Sequence, residues 1–419
     1  MFEVLLDEEH KAIRDEVRKF IKDEVEPELI INMDSNNQEY PYEFIKKATK
    51  KNIIGLRFPK KYGGRGLKWT HEILALEEVG VLGISLACAY SLPSICGEAL
   101  NVFGTEDQKE KYLKPTLKGD LICGEGLTEP RGGSDFFGTI TTAVKKGDKF
   151  IINGEKRFVA GGVGADWFII YAKTDFNAPP HESLSAFIVE RDFGVKVEEQ
   201  YSLMGCRGMG AARIIMKDVE VPEENLVGKL NGGADIFNRM MIPERLTSAA
   251  GAIGLGRACL ELAIRYSAKR EAFGRPISRF EGINFKVAEC ATNLDAARGL
   301  TYHAALRADA ELPCRREVSM AKYFATECCF KTIYEAMQII GGIAYTDVYP
   351  IERLFRDARL GTIWTGSNEI QKLIIQSEVY KQVLKEDKSL KRNIELDTPG
   401  AHKTVEKVYK EDPNKYRPK

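Results

Sequence analysis

Ile13, Val17, Phe20, Ile21 and Val25 recur three and four residues apart, with acids and bases between them. That spacing places them on one buried face of a helix. Segments 42–51 and 70–81 repeat the pattern, and Pro59-Lys60-Lys61-Tyr62-Gly63-Gly64 reads as a loop. Near Cys123 the period changes. Segments 139–144, 149–152, 167–172, 184–189 and 212–221 are short β-rich runs, separated by breaks such as Lys146-Gly147-Asp148 and Asn153-Gly154. They predict a small barrel or sandwich.

From about Ala234 the helical period returns. Segments 246–268, 281–310 and 316–340 are each long enough to cross a four-helix bundle. Segment 368–384 is the last helix, capped by Ser367 or Asn368, and Pro243-Glu244-Arg245-Leu246 falls near the start of the first. Beyond Lys385 the chain is polar, with Pro399, Pro413 and Pro418, which suits an extended tail. The fold class expected is mainly α with a central β domain. It comprises an N-terminal helical domain (1–122), a middle β-barrel domain (123–233), a C-terminal four-helix bundle (234–385) and a polar tail (386–419). No internal repeat is visible.

Composition narrows the function classes. The 419 residues carry no formal net charge, which gives nucleic acid or an anionic membrane surface nothing to select. The nine cysteines are odd in number and form no C-x-x-C pair, so buried free thiols are expected rather than a metal site or disulfides. No apolar run is long enough for a membrane span. Segment 1–25 mixes acids and bases unlike a signal or transit peptide, so the cytoplasm is the expected compartment.

Leu127-Thr128-Glu129-Pro130-Arg131-Gly132-Gly133-Ser134-Asp135 opens the β region. Its small residues let backbone approach a flat ring, and its hydroxyls and N–H groups can bond a polar edge; alone, it could equally be a Gly-rich turn. Arg270-Glu271-Ala272-Phe273-Gly274-Arg275-Pro276-Ile277 offers a guanidinium fork that matches phosphate, though a solvated basic loop reads the same way. Gln338-Ile339-Ile340-Gly341-Gly342 allows close backbone approach. Tyr349-Pro350-Ile351-Glu352-Arg353-Leu354-Phe355-Arg356-Asp357 and Ile363-Trp364-Thr365-Gly366-Ser367-Asn368-Glu369-Ile370-Gln371 complete the set.

In this order, over roughly residues 5 to 385, these segments resemble the acyl-CoA dehydrogenase family of flavoproteins. The Met204-Gly205-Cys206-Arg207-Gly208-Met209-Gly210 loop supports the same fold. The resemblance implies FAD as cofactor. It assigns Leu127 and Thr128 to the isoalloxazine, Gly133, Phe158 and Ala160 to its surroundings, and Ser134 to the thioester arm of CoA as well. Arg270 and Phe273 would meet the FAD pyrophosphate across a subunit interface, Gln338, Gly341 and Gly342 the adenosine diphosphate, and Ser367 and Glu369 the cofactor near the last helix. Arg245 would lie by CoA, or form a structural salt bridge, and Gly366 would lie by the substrate. Ala344 stands where a further glycine is usual, and Phe158-Val159-Ala160-Gly161 where W-I-T/S-N is usual, so Ala160 lacks the hydroxyl expected near flavin N5.

The main departure is Thr365. Most members carry there the glutamate that removes the substrate's α-proton. A threonine keeps the backbone N–H that polarises the thioester carbonyl but supplies no base. Isovaleryl-CoA and long-chain members share this loss and carry their glutamate at the position of Glu244. That pairing makes Glu244 the candidate base; a helix-terminal glutamate serving the macrodipole is the plainer alternative. Glu125, near the flavin segment, could be a second acid/base or a salt-bridge partner. The implied activity is α,β-dehydrogenation of an acyl-CoA, with the α-proton to Glu244, the β-hydride to flavin N5 and electrons to an electron-transferring flavoprotein, in a homotetramer built as a dimer of dimers. Enoyl-CoA reduction, acyl-CoA oxidation by oxygen, 1,4-dehydrogenation of a cyclic or dicarboxylic acyl-CoA, and a non-enzymatic FAD scaffold are the alternatives.

Overall fold

A computed structural model describes residues 6–385 and, beyond them, Arg392 and residues 394–397. Five helices open the chain: α1 (Glu8–Glu24), α2 (Pro27–Asp34), α3 (Tyr42–Lys50), α4 (Trp69–Gly80) and α5 (Ile84–Phe103). Short helical pieces α6 (Glu106–Gln108) and α7 (Lys114–Lys118) follow, joined by a π-type turn. The amphipathic face expected of α1 is present: Ile13, Val17 and Phe20 are buried, and Asp7 caps the helix by accepting the His10 N–H. Every residue of α4 is buried. It packs against α1, α5 and two helices of the C-terminal part, which is why it shows little amphipathic contrast.

The middle part has eight strands, β1 (Cys123–Gly126), β2 (Thr142–Lys146), β3 (Lys149–Val159), β4 (Trp167–Lys173), β5 (Leu184–Glu190), β6 (Lys196–Gln200), β7 (Ala212–Pro222) and β8 (Leu226–Val227). They run β6-β7-β3-β2-β4-β5-β8, with β1 parallel to β4. A single register pair, Thr142 with Lys173, links β2 to β4. No pairing closes β6 onto β8 among the described residues, so the sheet path is open where a barrel was expected. Asn153-Gly154 is not a break. It is a register shift inside the 11-residue β3, where a Cβ on Gly154 would stand 2.3 Å from Thr141 Oγ1. A bulge and a turn draw on the same residue types, and only the partner strand separates them.

The C-terminal part contains α8 (Gly233–Lys269), the small β9–β10 hairpin (Glu271–Ala272, Arg275–Pro276), α9 (Glu281–Asp309), α10 (Arg315–Ile340), α11 (Ile351–Gly361) and α12 (Asn368–Lys385). Helices α8, α9 and α10 pack on one another, and α11 lies on α8 and α10. Of the fourth long helix expected in the bundle, α12, only Asn368 and Gln371 are buried. The Asn368 side chain is no cap; it meets Lys322, Thr326 and Glu327.

Residues 1–375 form one compact unit and 376–419 a second. In the second, Arg392 pairs with Asp397 beside a 3-10 turn, Ile394–Asp397. Most of the tail 386–419 lies outside the described residues.

The helical parts are tied by close backbone contact and buried charge. A Cβ on Gly254 would stand 2.0 Å from the Glu77 carbonyl oxygen, so α4 and α8 cross with no room for a side chain. Beside that crossing Arg257 pairs with Glu78 at 2.6 Å and Arg298 with Glu77 at 2.8 Å. Asp357 of α11, also buried, accepts the Cys206 N–H at 2.6 Å and so holds the 204–210 loop against the C-terminal helices.

His71 of α4 stacks on His10 of α1 at 3.7 Å between ring centroids. Burial, helped by the His10 charge, holds its pKa below the ordinary 6.5, against the pull of Glu9, Asp7 and Asp309. The folded chain therefore binds fewer protons here than the unfolded chain just below pH 6.5. This stabilisation is whole above about pH 6.5 and is lost as pH falls through the folded pKa. His71→Gln should flatten the acid side of a melting-temperature-against-pH curve; an unchanged slope would show that His71 does not titrate there.

Candidate active site

The C-terminal departure and its proposed replacement meet. Thr365 lies in the turn between α11 and α12, with φ of 53°, and Gly366 follows at 80°. A positive φ is unusual for a β-branched residue and costs on the order of 1–3 kcal/mol unless its surroundings impose it. Here they do. Gln371 Nε2 donates to the carbonyls of Thr365 and Gly366, at 3.1 and 2.8 Å, and Lys322 Nζ donates to that of Gly366 at 3.0 Å and to Asn368 Oδ1 at 2.9 Å. Lys322 is fully buried, and burial with the nearby Arg245 charge lowers its pKa to about 7.

The Thr365 hydroxyl lies 3.2 Å from Ser248 Oγ, which itself bonds the Glu244 carbonyl oxygen at 2.7 Å. The Thr365 N–H makes no hydrogen bond to another group among the described residues.

Glu244 is not near the start of its helix. The helix begins at Gly233 and runs through Pro243, which leaves Glu244 about three turns inside. The sequence-based boundary failed because proline usually marks a helix start; buried packing on both sides carries α8 past it. A macrodipole role belongs to the first turn, so it does not explain this glutamate. Glu244 is 8% exposed, and burial raises its pKa while Glu125, Arg245 and Lys322 favour its charged form.

Glu125, on β1, faces it. The Glu244 charge and the Tyr171 hydroxyl of β4 both act on the Glu125 carboxyl. Glu125 forms no ion pair with a cation among the described residues. Arg245 is 4% exposed, donates to Ser319 Oγ at 3.2 Å and leaves its Nε without a partner. Burial and the neighbouring Arg315 bring its pKa down to about 10. The structural salt bridge considered for it does not form among the described residues.

The segment that follows β1 comes together with the end of β3. The Thr128 carbonyl accepts the Arg157 N–H at 2.7 Å, which brings Leu127 and Thr128 to the end of β3 beside Phe158 and Ala160. Leu127, Ala160 and Trp364 pack against one apolar cluster. Gly133 and Ser134 are exposed, and Phe158 is 57% exposed at φ of 54°. Glu129, of the same loop, is buried against Lys156 at 2.8 Å and accepts the Ile140 and Thr141 N–H groups.

The remaining candidates lie elsewhere. Residue contacts between α8 and α10 climb together, Arg245 with Ser319 and Gly256 with Cys329, so Arg270 and Gln338 reach the same far end. At 1.5 Å per residue, Arg270 lies about 40 Å along α8 from Glu244. Arg270, Phe273, Gln338, Gly341 and Gly342 are all exposed there, Phe273 at 94%. In a single chain they are not part of the Glu244 site. Ser367 is half-buried and Glu369 exposed at the start of α12. Sequence reasoning missed Ser248, Lys322, Lys156 and Tyr171, whose roles depend on neighbours distant in the chain.

Sequence models of the N-terminal, middle and C-terminal domains of acyl-CoA dehydrogenase match residues 7–120, 124–219 and 231–380. A 3-(aryl)acrylate reductase of Clostridium sporogenes is 37% identical over 89% of this chain and 99% of its own length. Subunit CarC of the caffeyl-CoA reductase-Etf complex of Acetobacterium woodii is also 37% identical, over 90% of this chain and 99% of its own. The three-dimensional structure of butyryl-CoA dehydrogenase from Megasphaera elsdenii superposes with a TM-score of 0.86 at 32% identity, covering 90% of this chain and 99% of that one.

Proposed function

Because the chain belongs to the acyl-CoA dehydrogenase family, we propose that it interconverts an acyl-CoA and its α,β-enoyl-CoA, with Glu244 exchanging the α-proton. The observation that carries this reading is the buried Glu244 carboxyl in the site shared with Thr365, where Thr365 lacks a base and its N–H is free to polarise a thioester carbonyl. FAD, when bound, supplies the acceptor or donor of the β-hydride. The chain's own residues fit it. Leu127, Thr128, Phe158 and Ala160 present a partly exposed apolar surface, a Cβ on Gly133 would meet nothing closer than 3.4 Å, and the buried Trp364 Nε1 has no partner. Gly366, Ser367 and Glu369 flank Thr365 at the same turn and complete its surroundings. Ser134 and the under-partnered Arg245 guanidinium are the groups assigned to CoA.

Arg270, Phe273, Gln338, Gly341 and Gly342, at the far ends of α8 and α10, lie too far away to reach the same cofactor molecule within one chain. A second copy would bring them to it. The exposure of Phe273, Tyr345 and Val348 at 94, 87 and 66% supports self-association there, and we assign the assembly as a homotetramer. An electron-transferring flavoprotein is the proposed electron partner, on the strength of the Etf complex to which the Acetobacterium relative belongs.

The two reductase relatives favour a second reading, in which an aryl-substituted enoyl-CoA is reduced on the same site. The test is anaerobic flavin absorbance with straight, branched and aryl acyl-CoAs, and reoxidation by the matching enoyl-CoAs. Bleaching by one acyl-CoA supports dehydrogenation, and reoxidation of reduced flavin by an aryl enoyl-CoA alone supports the reductase. No response to any thioester, in either direction, would sink both.

A further inference from the structure

Glu125 is a costly residue where it stands. All four residues of β1 are buried, and Glu125 is 9% exposed, with its Oε1 shut from solvent and reached by no N–H or O–H donor. Its strand register pairs it with Ile169 of β4, which puts it on the same face as Tyr171, two residues on. Opposite them, Met240 and Glu244 lie one turn apart on α8. The Tyr171 hydroxyl lies 3.0 Å from Met240 Sδ, which sets the face of β1 and β4 that carries Glu125 against the stretch of α8 that carries Glu244. The interface between β1–β4 and α8 thus encloses two buried carboxyl groups, Glu125 and Glu244.

Two adjacent carboxylates in a dry pocket cannot both ionise without a cation for each. The charged and titratable groups facing the pair are unevenly placed. Arg245 and Lys322 act on Glu244. Glu125 has Cys123 and Tyr171 beside it, with Cys96 of α5 behind, and none of these is a cation. Burial and the Glu244 charge push Glu125 well above the usual carboxylate range.

We infer that Glu125 and Glu244 form a carboxyl pair that shares one proton, in which neutral Glu125 donates its O–H to the Glu244 carboxylate and positions it toward the substrate's α-carbon. This rests on the reading of Glu244 as base. Glu125 is then a positioning residue. The form ready to take an α-proton already holds one proton, and it takes a second when the α C–H bond breaks. In the reverse direction the proton delivered to the α-carbon leaves Glu244 while Glu125 keeps its own. The pair titrates in two steps that belong to both residues.

The test uses FAD-loaded full-length protein and two readouts. In infrared difference spectra at neutral pH, without substrate, wild type should show a neutral-carboxyl C=O band that Glu125→Gln lacks. In anaerobic bleaching rates against pH, Glu125→Gln, which keeps a donor to Glu244, should hold the acid limb near its wild-type position. Glu125→Leu removes the donor and should move that limb up by about one to two pH units. If Glu125→Leu does not fold, the infrared comparison with Glu125→Gln still decides. The absence of any difference band, or an unmoved acid limb in Glu125→Leu, would overturn the pair. Normal bleaching in Glu244→Gln would instead remove the base assignment, while the infrared band would still report on the pair.

Discussion

Glu244→Gln should bind acyl-CoA and lose anaerobic flavin bleaching by a factor of about 10² to 10⁴. Glutamine has the size of glutamate and can still bond Glu125, so the fold and the pocket wall survive. What it loses is the ability to take a proton. No nearby group replaces it. Among the described residues the Thr365 hydroxyl has only Ser248 as a hydrogen-bond partner, and Ser248 is already committed to the Glu244 carbonyl oxygen. The expected signature is a spectral shift of the flavin on adding substrate, showing binding, without the slow loss of its oxidised band. A variant that bleaches within a few-fold of wild type would place the base elsewhere and make Glu125 the next residue to replace.

The largest structural effect is expected from Lys156→Met. The Lys156 ammonium is fully buried and lies 2.8 Å from a Glu129 oxygen, in the loop that carries Leu127 and Thr128. Burial pulls the Lys156 pKa down, and Glu129 opposes this. Removing the cation leaves a buried carboxylate with two backbone N–H donors and no counter-charge, a loss of about 3–5 kcal/mol. The urea midpoint should fall accordingly, and FAD retention should fall with it. A Glu129→Leu/Lys156→Met double variant removes both charges and should recover much of the urea midpoint. If the single variant matches wild type in both measurements, the pair neither stabilises this loop nor holds it for the cofactor.

Much of this was open to a reading of residue order. The amphipathic period of α1 is local chemistry, and Ile13, Val17 and Phe20 are buried as their spacing requires. Thr365 and Glu244 could be coupled on paper because two departures from one family pattern occurred together. Other features depended on contacts that no local window contains. Pro243 suggested a helix start because proline lacks an N–H. Packing of α8 against α4, α5 and α10 outweighs that local preference and puts Glu244 inside the helix. Asn153-Gly154 has the composition of a turn, and only pairing with β7 makes it a bulge.

Residue types and their spacing were enough to establish the order of helices and strands, the family and the candidate base, because each rests on short-range periodicity or on a motif a few residues long. The pairing of Glu125 with Glu244, the contact of Ser248 with Thr365 and the separation of Arg270 from the site required the folded chain. They are distances between residues tens to more than a hundred positions apart, and burial then gives those distances their chemical effect, because a carboxyl group behaves differently beside another carboxyl in a dry pocket than it does in water.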